Sequence, residues 1–252
     1  MGVAVARLAL AAGDVIVGAA AGPGDPAQGK DLGEVAGIGT LGVTVAGVTA
    51  ALLGAEVVID FSTAAAVPKL AAAAFRERVA IVSGTTNLDE KQMASLREAA
   101  KVVPVLWAGN MSLGIQVLAE VVEQAVRRLG AEFDVEIVEM HHGKKVDAPS
   151  GTAKRLVEAV RAARSPVDLV HGREGEVGAR RDAEVAVLAL RGGDVVGDHT
   201  VHLLGPGERL ELTHRATTRD VFALGALRAA RWILGKGPGM YVMKDVLGRA
   251  SD

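Results

Sequence analysis

Residues 56–82 read EVVIDFSTAAAVPKLAAAAFRERVAIV, a stretch in which one chain texture gives way to another and then returns. Glu56 to Phe61 is a short run rich in Val and Ile, Ala64 to Arg78 is Ala-rich with Pro68 near its start, and Val79 to Val82 is apolar again. Proline in a first helical turn forfeits only an N–H that has no partner there, so the middle segment predicts a helix. The flanking runs are continuously apolar rather than alternating, which is the pattern of strands buried on both faces of a parallel sheet. Val15 to Ala20 and Val102 to Trp107 are runs of the same kind. Leu88 to Lys101 predicts another helix, with Asp89 and Glu90 at the end where the dipole favours anions and Arg97 and Lys101 where it favours cations. Val3 to Leu10 reads equally as strand or helix. Glycine supplies 31 of 252 residues, nearly twice the usual ~7%, and marks many of the boundaries. Alternating strand and helix predicts an α/β domain with a Rossmann-like, doubly wound parallel sheet.

Beyond Asn110 the pattern changes. Leu113 to Leu129 carries Ile115, Leu118, Val121, Val122, Ala125 and Leu129 at helical spacing. Phe133 to Met140 reads as a strand, a polar run follows from His141 to Thr152, and a helix is expected through about Ala163. Val185 to Arg191, Val195 to Leu204 and Glu208 to Ala216 alternate as strands, with Gly192-Gly193-Asp194 and Gly205-Pro206-Gly207 as hairpin-type turns between them. The expectation is a second, α+β domain with a mostly antiparallel sheet over residues 111–218. The first domain then comprises 1–110 and 219–252, with the Phe222 to Leu234 helix packed back on it.

Composition removes several function classes. Twenty-eight basic against 30 acidic side chains, no basic stripe and seven aromatic rings leave none of the electrostatic and stacking footprint of a nucleic-acid binder. The absence of cysteine excludes disulfide scaffolds, thiolate metal sites and thiol nucleophiles, and it fits a reducing, cytoplasmic setting. The most apolar stretch, Gly2 to Ala21, is broken by Arg7, Gly13 and Asp14, and it lacks the basic start of a secretory signal; no membrane association is expected.

Chemistry concentrates in Glu139-Met140-His141-His142-Gly143-Lys144-Lys145-Val146-Asp147-Ala148-Pro149-Ser150-Gly151-Thr152-Ala153. Ser150-Gly151-Thr152 stands at an expected helix start, where free N–H groups and the dipole favour an anion such as a carboxylate. Lys144, Lys145 and the imidazoles add positive charge around it, so the string suits a small, multiply anionic ligand. A lysine amine there serves as proton donor or, with its pKa depressed by neighbouring cations, as a Schiff-base amine. His141 and His142 are adjacent on a strand and point to opposite faces, so they do not chelate one metal, and no metal is assigned. Taken singly, Ser150 is a helix cap and the lysine pair a solvated loop.

As a whole the string resembles the signature of the dihydrodipicolinate reductase family, Glu-x-His-His-x-x-Lys-x-Asp-Ala-Pro-Ser-Gly-Thr-Ala. The resemblance continues in order through Val58 to Ser62, Gly84-Thr85-Thr86, Ala108 to Gly114, Arg173-Glu174-Gly175, Gly197 to Thr200, Gly207 to His214 and Gly239 to Leu247. It implies an NADH- or NADPH-dependent oxidoreductase on the diaminopimelate route to lysine, in which a nucleotide-binding domain closes on a substrate domain and hydride passes to a cyclic dicarboxylate. By position it implies His141 as catalytic histidine and Lys145 as proton donor, with His142, Lys144, Ser150, Gly151 and Thr152 at the substrate. Gly2, Gly84, Thr85, Thr86, Ala108, Gly109, Asn110 and Met111 then fall at the dinucleotide, and a homotetramer built through the second domain's sheets is implied.

The chain departs from the family pattern in two places. Family members open with a strand and a Gly-x-x-Gly-Arg-Met-Gly loop, of which Met1-Gly2 matches the end; the first strand and most of the loop are expected to be missing, and the chain to start within a longer protein. The charged residue expected after the second strand is replaced by Ala20-Ala21-Gly22-Pro23, with Asp25 displaced, so the choice between NADH and NADPH is not encoded legibly. Two competing readings are a Schiff-base lyase using Lys145 and an inactive or metabolite-sensing protein of the same fold.

Overall fold

The structure is a computed structural model that describes residues 1–248; residues 249–252, inside the first expected domain, lie outside the described part. It divides into two compact units, Met1–Met111 with Asp220–Asp252, and Ser112–Arg219.

Unit 1 begins with α1 (Gly2–Ala11), which settles the ambiguity of Val3 to Leu10 in favour of helix. Then come β1 (Ala19–Ala20), α2 (Leu32–Ala36), β2 (Val45–Ala46) and α3 (Val48–Ala51). The strand expected from Val15 to Ala20 shrinks to the two residues of β1, which pair in parallel with β2 and with no other strand among those described. A strand persists only where a neighbour takes its backbone groups; upstream of that pairing Val15 is 85% exposed. Next follow β3 (Val57–Asp60), α4 (Val67–Glu77), β4 (Ala80–Ser83), α5 (Glu90–Ala99) and β5 (Pro104–Trp107). Pro68 lies in the first turn of α4, and Asp89 caps α5 in a reciprocal pair of hydrogen bonds with Gln92.

Unit 2 holds α6 (Leu113–Leu129), β6 (Asp134–His141), α7 (Gly151–Ala163), β7 (Asp168–Val170), β8 (Glu184–Arg191), β9 (Gly197–Gly205) and β10 (Glu208–Ala216). Its five strands lie in the order β10-β9-β6-β8-β7. The expected mostly antiparallel sheet is instead mixed: β9 is antiparallel to both β10 and β6, whereas β8 is parallel to both β6 and β7. Gly205-Pro206-Gly207 makes the expected hairpin, but Gly192-Gly193-Asp194 does not, because β6 is inserted between β8 and β9. The turn bonds to the end of β6 instead, Gly192 N donating to His141 O and Gly143 N to Gly193 O. Ile115, Val122, Val126, Leu156 and Val160 of the two helices pack on Val135, Ile137, Val185, Val187, Val201 and Leu203, so one sheet face is core. On the other face Arg173 joins Glu136 and Glu184, and Arg180 joins Asp134 and Glu136; that face also presents Val138, Met140, Leu188 and Leu190, none of them fully buried, beside the polar Asp198, Thr200 and His202 of β9.

The chain returns to unit 1 as α8 (Asp220–Ile233), β11 (Gly239–Tyr241) and α9 (Met243–Leu247). The main sheet of that unit, ordered β11-β5-β4-β3, is parallel throughout. α8 packs on α1 and on β3, β4 and β5, and Gly225 is needed where it crosses Met111, since a Cβ there would lie 1.8 Å from the Met111 carbonyl oxygen. Among the described residues no helix is long and apolar enough to cross a membrane.

Candidate active site

In unit 2 the side chains on the core face of β6 alternate from apolar to ionisable toward its end: Val135, Ile137, Glu139, His141. Cross-strand register sets Glu139 beside His199 of β9, and His199 beside His214 of β10. All of these groups except His214 are less than a tenth exposed, Glu139 fully buried. Two helix caps meet the row. Ser150 Oγ accepts from Ala153 N at the start of α7 and lies 3.1 Å from His199 Nε2. Ser112 Oγ accepts from Ile115 N at the start of α6 and lies 3.4 Å from His214 Nε2.

Glu139 faces two fixed donors and one imidazole nitrogen. Its Oε1 accepts from Ser150 N at 3.2 Å and Arg191 Nη2 at 2.9 Å, and its Oε2 rests against His141 Nδ1, the only polar partner of either atom among the described residues. Burial works to raise its carboxyl, but Arg191, the His141 ring and the Ser150 N–H outweigh that and hold it below its ordinary value. Burial pushes His141 down; Glu139 opposes this, while Lys145 and Arg191 add to it. His199 is driven to about 4 by burial and by repulsion from His141, and burial also lowers His214 against the pull of Asp198. His141, His199 and His214 are therefore neutral at neutral pH, and the cations around His141 are Lys145 and Arg191. Glu139, His141 and His199 have the identity of metal ligands and lie within 4.8 Å of one another, but a divalent cation would sit against the Arg191 guanidinium and the Lys145 ammonium.

The turn after β6 is pinned from the far strand: His142 N donates to Val195 O, Lys145 N to His142 O, and Arg191 Nη2 to Asp147 O. Lys145 Nζ lies 2.7 Å from Asp147 Oδ1 with a side chain 20% exposed, and this hydrogen bond lowers the Asp147 carboxyl. Lys144 is exposed, His142 half-buried, and Gly151 and Thr152 open α7 just past the buried Ser150.

In unit 1 the loops that follow β4 and β5 leave the carboxyl ends of neighbouring parallel strands, where open α/β sheets bind ligands. Buried Asp60 ties the first of them: its Oδ2 accepts from Ser83 Oγ at 2.7 Å and Thr85 Oγ1 at 2.8 Å, and its Oδ1 from Ser62 N. Trp107 Nε1 donates to Thr85 O, and Ala108 N to Ser83 O. Gly84 fits beneath Phe61, whose ring a Cβ would meet at 2.4 Å. Thr86 and Gly109 are exposed, Asn110 half-buried, Thr85, Ala108 and Met111 buried, and Gly2 is the first residue of α1. Asp25, the displaced candidate for the ribose, accepts from Ala27 N within its own turn.

Two family profiles, described as the N-terminus and the C-terminus of dihydrodipicolinate reductase, match residues 1–111 and 114–247. The chain belongs to the dihydrodipicolinate reductase family. It is 48% identical to the 4-hydroxy-tetrahydrodipicolinate reductase of Myxococcus xanthus, over 98% of this chain and 94% of that one, and 44% identical to that of Geobacter metallireducens, over 98% and 95%. A dipicolinate-bound dihydrodipicolinate reductase from Paenisporosarcina sp. TG-14 superposes with a TM-score of 0.60 at 25% identity, covering 74% of this chain and 71% of that one.

Of the family signature, the structure brings His141, Lys145 and Ser150 onto one pinned turn and leaves Lys144 on its rim. Four groups escaped the sequence reading of this reductase: Arg191, Asp147, His199 and Asp60. Asp147 and His199 stand inside quoted motifs, yet only the salt bridge and the strand register give them partners. Arg191 reads as the end of a strand, and what signals its position is the parallel register of His141 with Arg191.

Proposed function

We infer that the protein is an oxidoreductase that uses NADH or NADPH to reduce 4-hydroxy-tetrahydrodipicolinate to tetrahydrodipicolinate in lysine and diaminopimelate biosynthesis. The observation that carries this reading is near-half identity, over almost the whole chain, to relatives named for that activity. The dinucleotide, when bound, supplies the hydride. Gly2, Gly84, Thr85, Thr86 and Ala108 to Met111 are the residues proposed to hold it; the tethered glycine loop at the ends of β4 and β5 suits a flat ring that backbone must approach closely. Unit 2 is proposed to take the substrate: the α7 N-terminus at Ser150, Gly151 and Thr152, with His142 and Lys144, suits carboxylates; the 4-hydroxyl leaves as water with a ring hydrogen, and Lys145 supplies the proton that, with the hydride, completes the two-electron reduction of the resulting double bond. Neutral His141 acts beside it as an acceptor. The test is oxidation of NADH or NADPH with freshly generated substrate; loss of the absorbance of the reduced dinucleotide is expected, and a protein that binds pyridine-2,6-dicarboxylate without turnover would instead be a sensor.

The Asp60 side chain reaches the dinucleotide loop through the Ser83 and Thr85 hydroxyls, while its backbone carbonyl keeps the Gly84 N–H in any variant, so Asp60→Ala leaves Ser83 and Thr85 buried without their side-chain acceptor. About a tenfold rise in KM for the dinucleotide is expected, with KM for the dicarboxylate unchanged, measured by varying each substrate in turn.

A homotetramer in the cytoplasm fits this reading, and the sheet face carrying Val138, Met140, Leu188 and Leu190 is its proposed interface, since an exposed apolar patch rimmed by polar residues needs cover. Leu188→Glu is expected to reduce the mass measured by light scattering, and an unchanged mass would move the interface elsewhere.

A further inference from the structure

We propose that Glu139 is a positioning residue for this reaction, fixing the tautomer of His141 so that Nε2 is held as a hydrogen-bond acceptor. The proposal rests on the reading above that His141 and Lys145 carry the chemistry. A neutral imidazole has one N–H, and an ionised carboxylate can only accept. With Glu139 Oε2 against Nδ1, the proton belongs on Nδ1 and the lone pair on Nε2. Nε2 is turned toward Gly197, where a Cβ would stand 3.0 Å away, so a side chain at 197 would crowd the ring. The groups that face His141 are Glu139 on its own strand, Lys145 in the following turn, Arg191 at the end of β8 and His199 on β9, whose ring meets it edge to face at 5.1 Å. Lys145 and Arg191 oppose a second proton on the ring, and burial of the site acts in the same direction.

Glu139 is suited to this task because two of its three neighbours, Ser150 N–H and Arg191, are fixed donors, and the third is the Nδ1 atom of His141. An amide has one oxygen and one NH2, so Glu139→Gln must set its NH2 against one of them. The backbone N–H and the guanidinium cannot give up their protons, and only the imidazole can adapt by moving its proton to Nε2. The Gln variant therefore keeps the packing and the cap of α7 while inverting the tautomer.

The test is nitrogen NMR of the imidazoles in the wild-type protein and in Glu139→Gln, with steady-state kinetics on both and on His141→Ala and Lys145→Ala. Expected are an Nδ1–H tautomer for His141 in the wild type, an Nε2–H tautomer in Glu139→Gln, and about a 10²-fold lower kcat in that variant with KM changed far less. A wild-type Nε2–H tautomer, or a Glu139→Gln protein with undiminished kcat, overturns the proposal. If Glu139→Gln does not fold, the wild-type spectrum alone decides. Full activity in both His141→Ala and Lys145→Ala would overturn the underlying reading of the site, whereas their loss of activity beside an unimpaired Glu139→Gln would overturn only the role of Glu139.

Discussion

Lys145→Ala is expected to lower kcat by about 10²- to 10³-fold while changing KM little. Hydride addition to an unsaturated carbon leaves an electron pair that must be protonated, and this need exists in the transition state and not in the bound ground state. Lys145, the proposed donor, stands on the turn between β6 and α7, which Arg191 and the β8–β9 link hold in place. Its ammonium is paired with Asp147, which is more than half exposed, so an incoming dicarboxylate can replace Asp147 as the counter-ion without leaving a buried charge behind. On the proposed reading carboxylate recognition is shared with the α7 N-terminus and Lys144, so losing one ammonium is expected to cost little in binding. Steady-state kinetics with the dicarboxylate varied at saturating dinucleotide separates the two parameters. An unchanged kcat would remove Lys145 from the chemistry, and an equal change in both parameters would make it a binding group.

A second large effect concerns stability in acid. His199, 3% exposed, is held to about 4, against an ordinary histidine value of about 6.5. The native state therefore stays neutral where the unfolded chain takes up a proton. Stability is full above pH 6.5 and falls with a slope of one proton until His199 itself protonates near pH 4. For that residue the loss amounts to about 3 kcal/mol, and His141 and His214 shift in the same direction. The depressed carboxyls of Glu139 and Asp147 have the opposite proton chemistry and the same sign of outcome: their contribution is present above the ordinary carboxylate range and is lost as pH falls below it. The two windows are thus separable. Urea unfolding followed by circular dichroism between pH 7.5 and 4.5 is expected to show the decline in the histidine window, and His199→Gln to flatten it by nearly one proton. The same slope in both proteins would assign the acid sensitivity to other groups.

The sequence was most informative where a property repeats along the chain. The helical spacing from Leu113 to Leu129 gave both ends of α6, and the alternation from Glu208 to Ala216 gave both ends of β10. Ser150 announced the start of α7 because a cap acts on the residues next to it. Partnerships across strands were the opposite case. Two glycines and an aspartate after Arg191 satisfy every local requirement of a hairpin turn, and nothing local reports that β6 occupies the space between the strands they join. For the same reason Arg191 is invisible in the sequence as the partner of Glu139, and so is the neutral state of His141. Its charge is set by burial and by neighbours that the fold alone supplies. Val15 to Ala20 failed differently: its residues are right for a strand, but only Ala19 and Ala20 find a neighbour.

The insertion of β6 between β8 and β9 also bears on how the second unit assembles. For β8, a hairpin with β9 is the quickest strand contact available, because only residues 192–196 separate them. Once zipped, it would have to reopen to admit β6. Productive assembly instead joins residues fifty and sixty positions apart, His141 with Arg191 and Glu139 with His199, and such distant closures are slow. The nascent polypeptide thus meets a kinetic competitor written into its own nearest-neighbour preferences, and the glycine pair that permits the wide link is also what makes the wrong, tight one easy.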